Sequence, residues 1–481
     1  MTTKLNRNDL EQLLIQRRQW LKLAGGALGA AGLGGLALAP KRAYAADYRA
    51  LVCVFLYGGN DGLNTIVPTD TTRYNQYSAV RAGLALPRTS LTTLAGSDYG
   101  LHPSMAALAT AWNDGALAPV FNVGPLAQPL TKAQYRAAPS SSDLIPDNLF
   151  SHSDQQNLWE TGTTNALART GWGGRAAAAL RTVNPVISVG GNGRFGLSDY
   201  AAPLVLPAPG ANFGVEGLQD TSWAPIAARK KALEALYAEN HQNELTQAYV
   251  KQQRDAFATS ARLGPLIKIK PGDANASQPI NQAFASLIGP DGQVTTMIGQ
   301  QLYQIAKLIE GKATVQGDRQ IFFAQLGGFD THGNQIDSNS TTGEHARLLK
   351  MLGDAMGAFY QAMKNIGMAQ QVTLFTQSDF GRTFKPNNSN GTDHAWGNHH
   401  LVLGGSVKGR ATYGTYPTLQ LGGPDDVGVE SWEQHGRWLP TTSVAQYAAT
   451  LLHWFGADDS QLNAILPNLG NFGSRRVLGF L

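Results

Sequence analysis

Apolar residues along this chain fall into two rhythms. Short unbroken runs at residues 50–57, 118–123, 185–189, 320–326, 371–376 and 400–403 read as strands buried on both faces. Longer stretches at 225–263, 282–288, 295–310, 342–366 and 443–454 repeat their apolar positions every three or four residues, the spacing of a helix with one face inward. The turn Gly289-Pro290-Asp291-Gly292 separates the second of these from the third. The two kinds of segment alternate, which predicts an α/β protein: a largely parallel sheet with helices on both faces. No internal repeat and no long low-complexity tract interrupts the pattern.

One apolar run fits neither rhythm. Residues 23–39 are rich in Gly and Ala, follow the pair Arg17 and Arg18 and the triplet Trp20-Leu21-Lys22, and lead into Ala43-Tyr44-Ala45. A run of this length is short for a bilayer about 30 Å thick, and small-x-small is the pattern that signal peptidases cut. The segment reads as a twin-arginine export signal over residues 1–45, with the translocation machinery as its partner and the periplasm or the exterior as its destination. Residues 46–481 then form one α/β domain with inserted helical segments, and no stable membrane span is expected after cleavage.

The signal changes how charge is read. The precursor carries +4, but residues 1–45 hold seven basic and two acidic residues, so the remainder is close to −1. No basic excess is left to neutralise phosphates, which excludes nucleic acid as a partner on charge grounds. The lone cysteine, Cys53, lies inside the run Leu51-Val52-Cys53-Val54-Phe55 and reads as a buried thiol; it has no partner for an intramolecular disulfide.

Candidate chemistry sits where the strand-like runs end. The first runs into Gly58-Gly59-Asn60-Asp61, the fourth into Phe329-Asp330-Thr331-His332, and the fifth into Ser378-Asp379-Phe380-Gly381-Arg382. In a parallel sheet such loops converge on one edge. Asp330 and His332, two apart, turn the same way on an extended backbone and suit a divalent cation. Asp379 offers a further carboxylate, and Arg382 a planar fork for phosphate or sulfate. Three of the ten histidines fall in the eight residues Asp393–His400, so Asp393, His394 and either His399 or His400 are further candidate ligands; adjacent His399 and His400 face opposite ways on a strand. Ser151, ahead of a helix that starts near Asp154, is a candidate nucleophile or simply a helix cap.

The segments FLYGGNDGLNTIVP, LFSHSDQQNLWETG, GWGGR, GGFDTHGNQ, SDFGR and GTDHAWGNHH together resemble the bacterial family called domain of unknown function 1501, from about residue 50 to the C-terminus. That family is similar in turn to the alkaline phosphatase and sulfatase superfamily. The resemblance implies a metal-dependent hydrolase of phosphate or sulfate esters, acting on a small anionic ester or a sulfated or phosphorylated glycan. One or two divalent ions are implied, zinc or manganese first and calcium or magnesium as alternatives. Asp61 matches the first-strand metal aspartate, and Asp330 with His332 resembles the later pair. Asp379 and Asp393-His394 compete for the dipeptide Asp-His, with His399 or His400 as the last ligand. Matching Trp159-Glu160-Thr161-Gly162 to the superfamily's Trp-x-Thr-Gly puts His152 at the nucleophile position and Ser151 one residue before it. This departure leaves a non-catalytic metal- or glycan-binding envelope protein as the competing expectation.

Replacing Arg17 and Arg18 together by Lys is expected to hold the precursor in the cytoplasm, because the export receptor reads the pair itself. Cell fractionation checks this, and undiminished periplasmic protein would refute the assignment.

Overall fold

The computed structural model describes residues 48–139, 142–219, 221–239 and 242–481, so the signal-like segment lies outside the described residues. Strands β1 (Arg49–Leu56), β2 (Ile66–Pro68), β3 (Thr92–Thr93), β4 (Tyr99–Leu101), β5 (Leu117–Gly124), β6 (Ile187–Ser188), β7 (Leu204–Val205), β8 (Arg319–Leu326), β9 (Val372–Ser378), β10 (Asn398–Leu403) and β11 (Thr442–Ser443) make two sheets. The large one has eight strands in the order β11-β5-β10-β9-β1-β8-β6-β7, and the small one pairs β2, β4 and β3. Every neighbouring pair in the large sheet is parallel except those made by β10, which runs against both β9 and β5.

The unbroken apolar runs have a clear cause. Along β1, Ala50, Val52, Val54 and Leu56 enter one core, and Leu51, Cys53 and Phe55 enter the other. Strand side chains alternate between faces, so a strand covered on both sides must be apolar throughout. The helices Met297–Glu310 and Glu344–Asn365 cover the first face, and Trp172–Ala179, Val444–Phe455 and Asp459–Ile465 cover the second. Burial pushes the Cys53 thiol well above its ordinary range, as an inert core thiol requires. Among the described residues, no helix is long and apolar enough to cross a membrane.

Two helical stretches depart from the pattern-based expectation, and the run at 185–189 is a strand only over Ile187–Ser188. The helical stretch at 225–263 is two helices, Ala224–Ala238 and Glu244–Lys268; Asn243 starts the second by accepting from the Thr246 amide at 3.1 Å. Apolar spacing alone reads across the polar residues at its entry, because it does not register a cap. The stretch at 282–288 is helical only over Gln278–Ala283 and a turn of 3-10 helix, Ala285–Leu287.

Because β10 is antiparallel, its N-terminal end at Asn398 lies on the same edge as the carboxyl ends of β1, β8 and β9. The loops after Leu56, Leu326 and Ser378 and the segment leading into Asn398 therefore meet.

Candidate metal centre

Two glycines bring the first loop into place. Gly58 has φ +109 and Gly59 φ +80, and a Cβ on Gly58 would stand 2.4 Å from the Asp330 amide nitrogen. Only glycine permits that turn and that approach. The Gly58 amide in turn donates to both oxygens of Asp379 at 3.1 Å. The third loop doubles back as a short ladder: Thr383 and Ala395 amides donate to Asp393 and Gly381 carbonyls, so Arg382 pairs opposite His394. Thr392 then binds the Thr331 carbonyl, which lays Asp393 and His394 against the loop of Asp330 and His332. His152 arrives from elsewhere, as the first residue of the helix His152–Thr161.

At this junction His152, Asp330, His332 and His394 each offer a ligand atom, all within 4.8 Å of one another. Asp330 Oδ1 is 3.1 Å from His332 Nε2, 3.2 Å from His152 Nε2 and 3.7 Å from His394 Nε2. The Nε2 atoms of His332 and His394 are 2.8 Å apart. A zinc ion with bonds of about 2.0–2.1 Å to four tetrahedral ligands would separate those ligands by about 3.3 Å, within the spread seen here.

The far side of each ring decides its chemistry. His394 Nδ1 lies 2.6 Å from the Phe150 carbonyl, which can only accept, so Nδ1 carries the hydrogen. His332 Nδ1 lies 2.9 Å from Asp393 and His152 Nδ1 2.8 Å from Asp379, again oxygens suited to accept. All three rings thus donate from Nδ1 and turn an Nε2 lone pair toward Asp330 Oδ1. Two such lone pairs at 2.8 Å repel one another unless a proton or a metal cation lies between them. The buried Nε2 of His152 likewise has no hydrogen-bond partner among the described residues. The donor set fits a single divalent cation.

Electrostatics follow the same geometry. The hydrogen bond to Asp379 raises the His152 pKa, while burial lowers that of His394 despite its bond to Phe150. Burial opposes ionisation of Asp330, but the bond and charge of Arg382 overcome it and hold the carboxyl below its ordinary range. Arg382 itself is buried; besides Asp330 it donates to the carbonyls of Gly58, Gly59, Phe329 and Thr392, which leaves its fork turned into the protein.

The other candidates lie outside the four-residue group. Asp379, with no side-chain exposure, accepts from Gly58, His152 and Gln156, and Asp393 accepts from His332 and Asn387; both stand behind a histidine. His399 packs against Phe121 and Tyr416, and His400 against Trp159 and Tyr447, so the adjacent pair does face opposite sides of the sheet. Burial depresses both to a pKa of about 3, which keeps them neutral. The Ser151 hydroxyl lies 3.3 Å from that of Ser153 and makes no capping bond, although Ser151 occupies the N-cap. Phe150, Gln156 and Asn387 escaped the sequence reading. Gln156 had a signal, since it lies one turn after His152 on the same helical face; a backbone carbonyl such as that of Phe150, held at φ 73, has none.

Asp61 is fully buried, with Arg81 donating to both its oxygens at 2.7 Å and Gln335 donating at 2.6 Å. Burial opposes its ionisation, yet the Arg81 charge lowers its pKa below 3.8.

Fold and site together define an α/β protein with a three-histidine, one-aspartate group at the carboxyl edge of its sheet. The chain belongs to the family described as "Protein of unknown function (DUF1501)", which it matches over residues 48–466. No curated protein matches it. Among solved structures, one titled "Crystal structure of Ps i-CgsB in complex with k-i-k-neocarrahexaose" aligns at 12% identity over 88% of this chain and 76% of that chain, with a TM-score of 0.30. Likeness at that level carries no argument about fold or activity.

Removing one partner of the buried Asp61–Arg81 pair leaves the other charge uncompensated, so Asp61→Ala is expected to cost about 3–5 kcal/mol in a urea unfolding series. Because the folded-state pKa is lowered, the Asp61 contribution is intact at neutral pH and fades only as the pH falls through that lowered value. A loss below about 1 kcal/mol would contradict the structural role assigned to the pair.

Proposed function

We propose that the chain is an exported, metal-dependent hydrolase of phosphate or sulfate esters, built on an alkaline-phosphatase- and sulfatase-like arrangement of sheet and loops. One observation carries the reading: three imidazoles, each fixed through Nδ1, aim Nε2 lone pairs at one carboxylate oxygen. Asp330, His332, His394 and His152 would hold a single divalent ion, zinc or manganese before calcium or magnesium, because imidazole donors outnumber carboxylates. Such an ion would polarise an ester oxygen and, with a water taken up as an additional ligand beside these four, would lower the pKa of that water toward about 7. Asp393, Asp379 and the Phe150 carbonyl keep the three rings oriented. The attacking group is then water rather than the Ser151 hydroxyl, whose neighbour is Ser153. The substrate is a small anionic ester or a sulfated or phosphorylated glycan. The site of action is the periplasm or beyond, which the pair Arg17 and Arg18 and the apolar run after it support.

A second reading keeps the metal and drops the reaction: a periplasmic metal- or glycan-binding envelope protein with a degenerate hydrolase site. It is favoured by the placement of Arg382, whose donors are spent on loop carbonyls, and by a histidine standing where a hydroxyl nucleophile would be expected.

Metal analysis of the purified mature protein is expected to find about one equivalent of divalent metal. Asp330→Ala, His332→Ala and His152→Ala should each abolish it, and Asp393→Ala should weaken it by about 10- to 100-fold as an orienting partner. Ser151→Ala should keep both metal and turnover of an aryl phosphate or sulfate. Protein purified without metal, and taking none up, would sink both readings; a loaded protein inert toward a broad ester panel would leave the binding protein.

A further inference from the structure

Arg437 stands beside the four-residue group, and nothing so far assigns it a part. Its backbone is fixed: the buried Asp426 carboxylate accepts from the Gly436 amide at 3.1 Å and from the Arg437 amide at 3.2 Å. The neighbouring Gly436 and His435 carbonyls accept from Phe384 and Lys385, which belong to the loop that carries Arg382. From this anchor the Arg437 side chain runs toward the site. Its Nε donates to the His394 carbonyl at 3.1 Å, and its guanidinium carbon lies 5.0 Å from the centre of the Phe150 ring. It therefore touches both the backbone of one proposed ligand and the residue whose carbonyl orients that ligand. Its two terminal nitrogens donate to no protein atom among the described residues, and the side chain is half-buried. The contrast with Arg382 is complete, since every donor group of that residue faces loop carbonyls or Asp330.

A guanidinium seated over an aromatic ring and fixed by one hydrogen bond, with its two terminal nitrogens unspent, is pre-organised for a tetrahedral oxyanion. We propose that Arg437 is the anion-binding residue of this site and receives the phosphate or sulfate group of the substrate beside the metal centre. The inference rests on the hydrolase reading given above. It adds that recognition of the negative charge comes from the loop around residue 437 rather than from Arg382.

The test titrates inorganic phosphate and inorganic sulfate separately into the protein, zinc-loaded and metal-free, by calorimetry. Wild type is expected to bind at least one of them, and the preferred one separates a phosphate from a sulfate substrate. Arg437→Ala should weaken that binding by roughly ten- to a hundredfold with zinc content unchanged, and Arg437→Lys by less, as charge-assisted hydrogen bonds predict. Arg437→Gln, which can still reach the His394 carbonyl, should behave like the Ala variant if charge rather than loop support is what matters. Anion affinity in Arg437→Ala within twofold of wild type, or a wild type that binds neither anion in either form, overturns the inference. Failure to take up zinc is a separate result, and it strikes the metal-centred reading instead.

Discussion

The Arg382 guanidinium fills the gap between three loops that share no sequence neighbourhood. It donates to carbonyls of the loop after β1, of the loop after β8 and of its own returning strand, and it ends on the Asp330 carboxylate. The Gly58, Gly59 and Thr392 carbonyls would otherwise face the interior unpaired, at a cost of about 1–3 kcal/mol each, while that of Phe329 also accepts from the Thr331 amide. The charge that satisfies them also keeps Asp330 ionised. Placement of the loops and readiness of the carboxylate therefore come from one side chain. A lysine could not replace it, since a point charge with three donors cannot span carbonyls on several sides in a plane.

Around this pin the polar residues separate into two tiers. The inner tier is Asp330 and three imidazoles whose side chains are partly exposed and whose Nε2 atoms are short of partners. The outer tier is engaged from behind: Asp379 with its three donors and Asp61 locked by Arg81 and Gln335 are fully buried, and Asp393 holds His332 and Asn387 on one oxygen. A ligand must keep a lone pair unspent, whereas a supporting group works by accepting from the ring it orients.

That distinction also sets what the sequence could reveal. The first strand was legible because burial on both faces leaves β1 apolar from Ala50 to Leu56, whereas β9 carries buried Thr373, Thr376, Gln377 and Ser378 among its apolar residues; the edge was legible because strand-like runs end in Gly, Asp and His. Asp330, His332 and His394 follow from that logic, and residue type and spacing did flag them. The direction of β10 was not legible, since an apolar run reads the same in either sense. Nor was the break ahead of Asn243 within what reads as one helical stretch. Among the polar residues, Asp61 and Asp330 look alike in a motif; only the distant Arg81, brought alongside by the fold, separates a saturated carboxylate from an available one.

His152 shows the same limit from the other side. Its local setting, between two serines at a helix start, suggests the neighbourhood of a hydroxyl nucleophile, and nothing nearby in sequence says which nitrogen its ring will expose. Asp379, 227 positions away, supplies the answer by accepting Nδ1–H, and Gln156 on the next helical turn holds the same carboxylate oxygen. Tautomer, and with it the direction of the free lone pair, is thus a tertiary property of this chain. The histidines that met an oxygen acceptor at Nδ1 near the sheet edge gained a directed lone pair, while His399 and His400, two strand residues deeper, were surrounded by aromatic rings and kept neutral. Depth along one strand separates packing from chemistry within a cluster that, as letters, looks uniform.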